Sequence, residues 1–231
     1  MVRASSSADP IAALQAAVPT AFEAAQKSTA THRKGVLGLH QRFLACAEVT
    51  VATDDGGVRL TGEKAFQDAI RSAIARVLTF KRATPAAERV IAFVGAFIKY
   101  ATDQAKLAAA EDGEDAPDEY PAERLTLALL KLALKGLGAK DKNARYRCSQ
   151  LLGVLVVHLG ALDEDTLALL RSSLAERVCD KEAYIRVEAV RSMAWLQGAL
   201  DEDDADDEDA PESVLLDVMA TDPSACVSPC A

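Results

Sequence analysis

Lys81 and Arg82 stand side by side, as do Arg33 and Lys34, and with Arg89 these cations fall near the expected ends of helices. They recur with no period, so they serve no repeat; such groups are either solvated or paired with an anionic partner. A second basic stretch lies between Pro121 and Gln150. There Arg124, Lys131, Lys135, Lys140, Lys142, Arg145 and Arg147 are opposed only by Glu123 and Asp141. Bond-making chemistry has no comparable foothold. His32, His40 and His158 belong to no His-Glu-x-x-His motif, and the chain has no Gly-x-Ser-x-Gly and no phosphate-binding glycine loop. The cysteines at 46, 148, 179, 226 and 230 form no Cys-x-x-Cys pair and are expected to be reduced, buried thiols. Carboxylates crowd together only in two runs, where solvation prevents tuned acid/base work. No catalytic residue, metal site or cofactor is expected.

Those two runs reshape the charge. Glu111, Asp112, Glu114, Asp115, Asp118 and Glu119 make the first; Asp201, Glu202, Asp203, Asp204, Asp206, Asp207, Glu208 and Asp209 make the second. Setting these fourteen carboxylates aside turns a net charge of −9 into +5 for the rest. The runs, 111–119 and 201–210, are expected to be acidic loops, able to compete with an anionic partner for a mildly basic body. No apolar stretch reaches the ~18 residues that cross a bilayer. Residues 1–8 lack the apolar centre of a secretory signal and are expected to be a disordered tail.

The elements that carry the cations are helices. Asp141-Lys142-Asn143-Ala144-Arg145-Tyr146-Arg147 is echoed by Asp180-Lys181-Glu182-Ala183-Tyr184-Ile185-Arg186, and faintly by Asp222-Pro223-Ser224-Ala225-Cys226-Val227. A period of about 40 residues that holds two helical patterns predicts an all-α HEAT-type or armadillo-type solenoid of antiparallel helix pairs over 9–231. Asp141, Asp180 and Asp222 are expected to be N-caps. Arg147 and Arg186, six residues after an aspartate in both copies, are expected to pair with Asp141 and Asp180 along the array. Apolar spacing predicts helices over Ile11–Lys27, Arg33–Val49, Glu63–Phe80, Ala86–Ala110, Ala122–Leu137, Asn143–Leu159, Thr166–Val178 and Lys181–Gly198. A further one starts at Glu212, in a repeat expected to be truncated. Between Val49 and Gly62 a loop or tiny hairpin is expected.

The repeated phrases resemble the N-terminal repeats of the condensin subunit 3 family, the non-SMC HEAT subunits also called chromosome-associated protein G. Ala25-Gln26-Lys27-Ser28, His32-Arg33-Lys34, Leu78-Thr79-Phe80-Lys81-Arg82 and Arg89-Val90-Ile91-Ala92-Phe93-Val94 are similar in the same order, so the likeness runs from Phe22 to Ala225. The pattern departs after Val227, where the family continues with arginine and here Ser228 follows. The resemblance implies a non-catalytic condensin subunit of mitotic chromosome condensation, found in the nucleus and on chromosomes with a cytoplasmic pool. It implies duplex DNA as a partner, held by its phosphates without base reading, together with the kleisin subunit, and SMC subunits reached through the kleisin. Lys81, Arg82, Arg89, Arg33, Lys34, Lys140, Lys142 and Arg145 are the candidate DNA contacts. The alternatives are a HEAT scaffold binding an extended protein segment without DNA, or a truncated product without function.

Overall fold

The computed structural model describes residues 9–53, 56–113, 117, 119–197 and 211–224. The expected tail at 1–8, the acidic run 201–210, most of the first insert beyond Gly113 and the end of the third phrase lie outside the described residues. The chain is all-α, of HEAT-repeat class, with one two-residue β-ribbon among the described residues. It divides into two compact units. The first takes the described residues up to Val77 with Ala83–Ala128; the second takes Leu78–Arg82 with the described residues from Leu129 onward.

In the first unit, Asp9 caps α1 (Pro10–Lys27) by accepting from the Ile11 N–H at 3.0 Å, and Pro10 at the first position loses no bond that a helix would have made. Leu14, Val18, Phe22 and Ala25 form its buried stripe. It lies against α2 (His32–Ala47), α3 (Thr61–Ala75) and α4 (Pro85–Asp112). Five of the six phenylalanines gather here: Phe43 and Phe66 have ring centroids 5.0 Å apart, Phe66 and Phe97 5.9 Å, Phe22 and Phe93 5.6 Å. Low aromatic content thus conceals an aromatic core in one unit. The ribbon pairs Val51 with Arg59 and Ala52 with Val58, giving the tiny hairpin. Helix α3 stops at Ala75, five residues short of the predicted Phe80, and turns follow through Phe80. Glu111 and Asp112 complete α4 and so belong to a helix, not to a loop.

His40, on α2, is buried against Tyr100 at 5.0 Å and Phe43 at 6.3 Å, and burial holds its pKa below the ordinary value. The unfolded chain therefore takes up this proton before the folded one does. Stability is full above about pH 6.5 and falls as the pH drops towards the lower folded pKa. Thermal melts at about pH 7.5 and pH 5 should show the decrease, and His40→Phe should flatten it; a pH-independent parent would contradict this assignment.

Helix α5 (Pro121–Leu137) begins in the first unit, where Arg124 reaches the buried Glu63 with two bonds of 2.6 and 2.9 Å. In the second unit lie the end of α5, α6 (Lys142–Leu155), α7 (Glu164–Val178), α8 (Ala183–Ala194) and α9 (Pro211–Thr221). Helix α8 is the hub, touching α6, α7 and α9. Gly136 lets α5 approach α6, because any Cβ there would collide with Cys148 Sγ. The Cys148 thiol is pushed up to about 12 by burial and is chemically quiet. Cys46 is buried too, but Cys179 is exposed, unlike the expectation for the thiols.

Candidate nucleic-acid interface

The repeated phrase and the helices it opens are two residues out of step. Asp141 is the N-cap of α6 and accepts from the Asn143 N–H at 2.8 Å; Asp180 accepts likewise from the Glu182 N–H at 3.1 Å, yet the N-cap position of α8 is Glu182 itself, whose side chain makes no cap bond. Helices α6 and α8 therefore superpose in sequence with Glu182 opposite Asp141, which matches Arg145 with Arg186 and Lys140 with Lys181. Their bonds agree. Arg145 donates to Asp180 at 2.7 and 3.1 Å and to the Ala139 and Lys140 carbonyls; Arg186 donates to Asp222 at 2.6 and 3.0 Å and to the Asp180 and Lys181 carbonyls. Each arginine grips its own preceding loop and an aspartate 35 or 36 residues ahead.

This corrects the expected ladder: Arg186 pairs with the Asp222 carboxylate and meets Asp180 at its backbone carbonyl, and three more residues differ. Arg145 belongs to the ladder and stands apart from the exposed cations, because its side chain is only 14% exposed and its guanidinium is engaged by a carboxylate and two carbonyls. Asp141 acts as a local cap. Arg147 turns away to the carbonyls of Phe80 and Lys81 and to Gln150 Oε1. For Asp180, burial alone would raise the pKa, but the bonds from Arg145 and the Glu182 N–H and the charges of Arg145 and Arg177 hold it below the ordinary carboxylate value. Asp222 is lowered chiefly by its bond from Arg186. The pattern was within reach of the sequence, since Arg145 to Asp180 and Arg186 to Asp222 have nearly equal separations. The stronger likeness of the repeated phrases, two residues out of step with the bonds, concealed it.

The other cations separate by unit. In the first, Arg33 and Lys34 are exposed on the first turn of α2, and Lys34 and Arg42 edge a groove of about 750 Å³ floored by Ala13, Ala17 and Leu39. Arg89 donates to the Gln26 carbonyl at 2.6 Å, tying α4 to the end of α1. In the second, Lys81 and Arg82 are exposed in the turn before α4, and Lys140 is exposed in the turn before α6. Arg82 lies 4.9 Å over the Tyr184 ring. Lys142 bonds Glu182 at 3.0 Å while remaining 56% exposed, and it acts electrostatically on the same tyrosine. Arg82, Lys142 and Tyr184 therefore form one cationic cluster, with the adjacent Lys81 on the same turn. A guanidinium stacked on a ring keeps its N–H edge available for phosphate oxygens. Tyr184 and its neighbour Tyr146, at 5.1 Å, were not singled out from the sequence, where a tyrosine on a helix says nothing of what crosses it. Among the described residues no cluster of His, Cys, Asp and Glu is built to hold a metal ion.

No protein-family model matches the chain. It is 32% identical to condensin complex subunit 3 of Schizosaccharomyces pombe across 71% of its own length, 28% identical to that of Saccharomyces cerevisiae across 78%, and 26% identical to that of Xenopus laevis across 80%. The chain spans only 16–17% of the length of these relatives. Its fold is similar to that in the crystal structure of the S. pombe condensin Cnd3–Cnd2 subcomplex, with a TM-score of 0.67 and 26% identity, over 93% of this chain and 23% of the other.

Proposed function

Because the chain belongs to the condensin complex subunit 3 family, we propose that it serves as a non-catalytic condensin element that binds duplex DNA through phosphates, without base readout, alongside the kleisin subunit. The carrying observation is the exposed cluster of Arg82 and Lys142 around Tyr184, with Lys81 beside it. Ammonium and guanidinium groups replace condensed counterions on the duplex, and the entropy of their release drives binding of any sequence. Arg33, Lys34, Arg89 and Lys140 are secondary contacts of the same kind. The Cnd3–Cnd2 pairing of the similar structure favours a kleisin as protein partner, with SMC subunits reached through it. Such a role places the protein on chromosomes in the nucleus, with a cytoplasmic pool.

The experiment is a gel shift of a mixed-sequence duplex over a series of salt concentrations. Log affinity should fall linearly with log salt, at a slope of about 0.9 per phosphate contacted. Lys81→Glu combined with Arg82→Glu should lower affinity by at least about tenfold at low salt and reduce the slope by about two. Retained slope and affinity in that variant would refute the assignment. Capture of a kleisin peptide without any duplex binding would favour the protein-only scaffold.

A further inference from the structure

We infer that Arg147 is a positioning residue, which holds the turn bearing Lys81 and Arg82 in its binding shape. This inference rests on the proposed role of those two residues in holding phosphate. Arg147 is 0% exposed, and a buried guanidinium must have its N–H groups satisfied. Its Nε donates to the Phe80 carbonyl at 3.0 Å and a terminal nitrogen donates to the next carbonyl, that of Lys81. A planar fork on two successive carbonyls fixes the direction of the intervening peptide, and a lysine ammonium cannot reproduce it.

The opposite face of the guanidinium network is also braced. Gln150 Oε1 accepts from Arg147 at 2.7 Å, and Gln150 Nε2 donates to the Tyr146 hydroxyl at 2.8 Å. The guanidinium lies 5.1 Å from the Tyr146 ring, which meets Tyr184 edge-on, and Tyr184 carries Arg82. The dibasic pair is thus held at its backbone by Arg147 and at its Arg82 side chain by a stack that begins on the same arginine.

Two readouts test this. Limited trypsin digestion reports the turn directly, because Arg147 grips the carbonyl of the Lys81–Arg82 scissile bond. Arg147→Lys should raise cleavage after Lys81 and Arg82 at least about fivefold relative to cleavage elsewhere, and Gln150→Ala, which leaves the buried charge in place, should raise it by a smaller factor. Parent-like relative cleavage in both variants would overturn the inference. The second readout is a cycle on duplex affinity. Arg147→Lys should weaken binding about fivefold in the parent and not at all in the Lys81→Glu/Arg82→Glu background, since neighbours acting as one unit are non-additive. An equal loss in both backgrounds would overturn it. Should Lys81→Glu/Arg82→Glu bind like the parent, the DNA assignment fails, and trypsin still decides the role of Arg147.

Discussion

Asp180→Ala is expected to destabilise the second unit by about 3 kcal/mol, lowering its melting temperature by roughly 10 °C or more. The carboxylate, only 3% exposed, accepts from Arg145 at 2.7 and 3.1 Å, from Arg177 at 3.4 Å and from the Glu182 N–H at 3.1 Å. Removing it leaves Arg145 largely buried with the Ala139 and Lys140 carbonyls as its hydrogen-bond acceptors. A desolvated cation without its anion costs far more than the net value of the pair. Lys142→Ala is the control. It breaks a bridge to Glu182 of similar length whose partners are 56% and 30% exposed, and should leave the melting temperature close to the parent's. The difference should also depend on pH. Asp180 titrates below its unfolded value, so its contribution is complete above about pH 4 and is lost as the pH falls through the folded pKa. Urea titrations at neutral and acid pH should show the gap between parent and Asp180→Ala closing on acidification. Equal costs for Asp180→Ala and Lys142→Ala at neutral pH would refute burial as the deciding factor.

Gly62→Ala is expected to cost the first unit about 2–3 kcal/mol, although alanine is the better helix former by about 1 kcal/mol. Gly62 is the second residue of α3 and donates its N–H to the Val49 carbonyl at 3.0 Å. A Cβ there would overlap the Cys46 carbonyl, in the last turn of α2, and press on the Val49 Cβ at 2.8 Å. Neither a backbone carbonyl nor a Cβ has a rotamer to yield, so relief requires α2 and α3 to separate over the Phe43 and Phe66 contact. Gly138→Ala supplies the comparison, because a Cβ there meets nothing within 4 Å. It should be neutral or stabilise by up to about 1 kcal/mol through the unfolded chain. Thermal denaturation of the two variants gives the answer; an unchanged midpoint for Gly62→Ala would refute the close approach.

Much of the molecule was legible in the chain because it is governed over four residues or fewer. Apolar spacing gave the helices to within a few residues, and Asp141 read as a cap because an aspartate accepting from the N–H two residues ahead needs nothing distant; the cap of α7, Asp163, was not singled out from the sequence. The predictions ran too far at the ends of α3 and α8, where apolar residues continue through turns that only neighbouring contacts terminate. The two-unit division and the aromatic core of the first were not visible. Phe22, Phe43, Phe66, Phe93 and Phe97 are spread along the chain and meet only when four helices pack together.

The fate of each cation was the least legible feature. Arg145, Arg147 and Lys142 lie within six residues, yet one is bound to a carboxylate, one is wholly buried on backbone carbonyls and one is exposed. Residue type determined that all three carry charge and can meet phosphate; the helical period determined that they stand on different faces. What lies opposite each face is set by segments 35 to 67 residues away, and that alone decides whether a guanidinium becomes an internal strut or remains available to a partner. By itself the sequence determined an all-α repeat, its local caps, its cations and its likeness to condensin subunit 3. Tertiary structure decided the register of the arginine–aspartate struts and the separation of structural from exposed cations, because desolvation and long-range hydrogen bonding depend on which surfaces meet, and no local spacing encodes that.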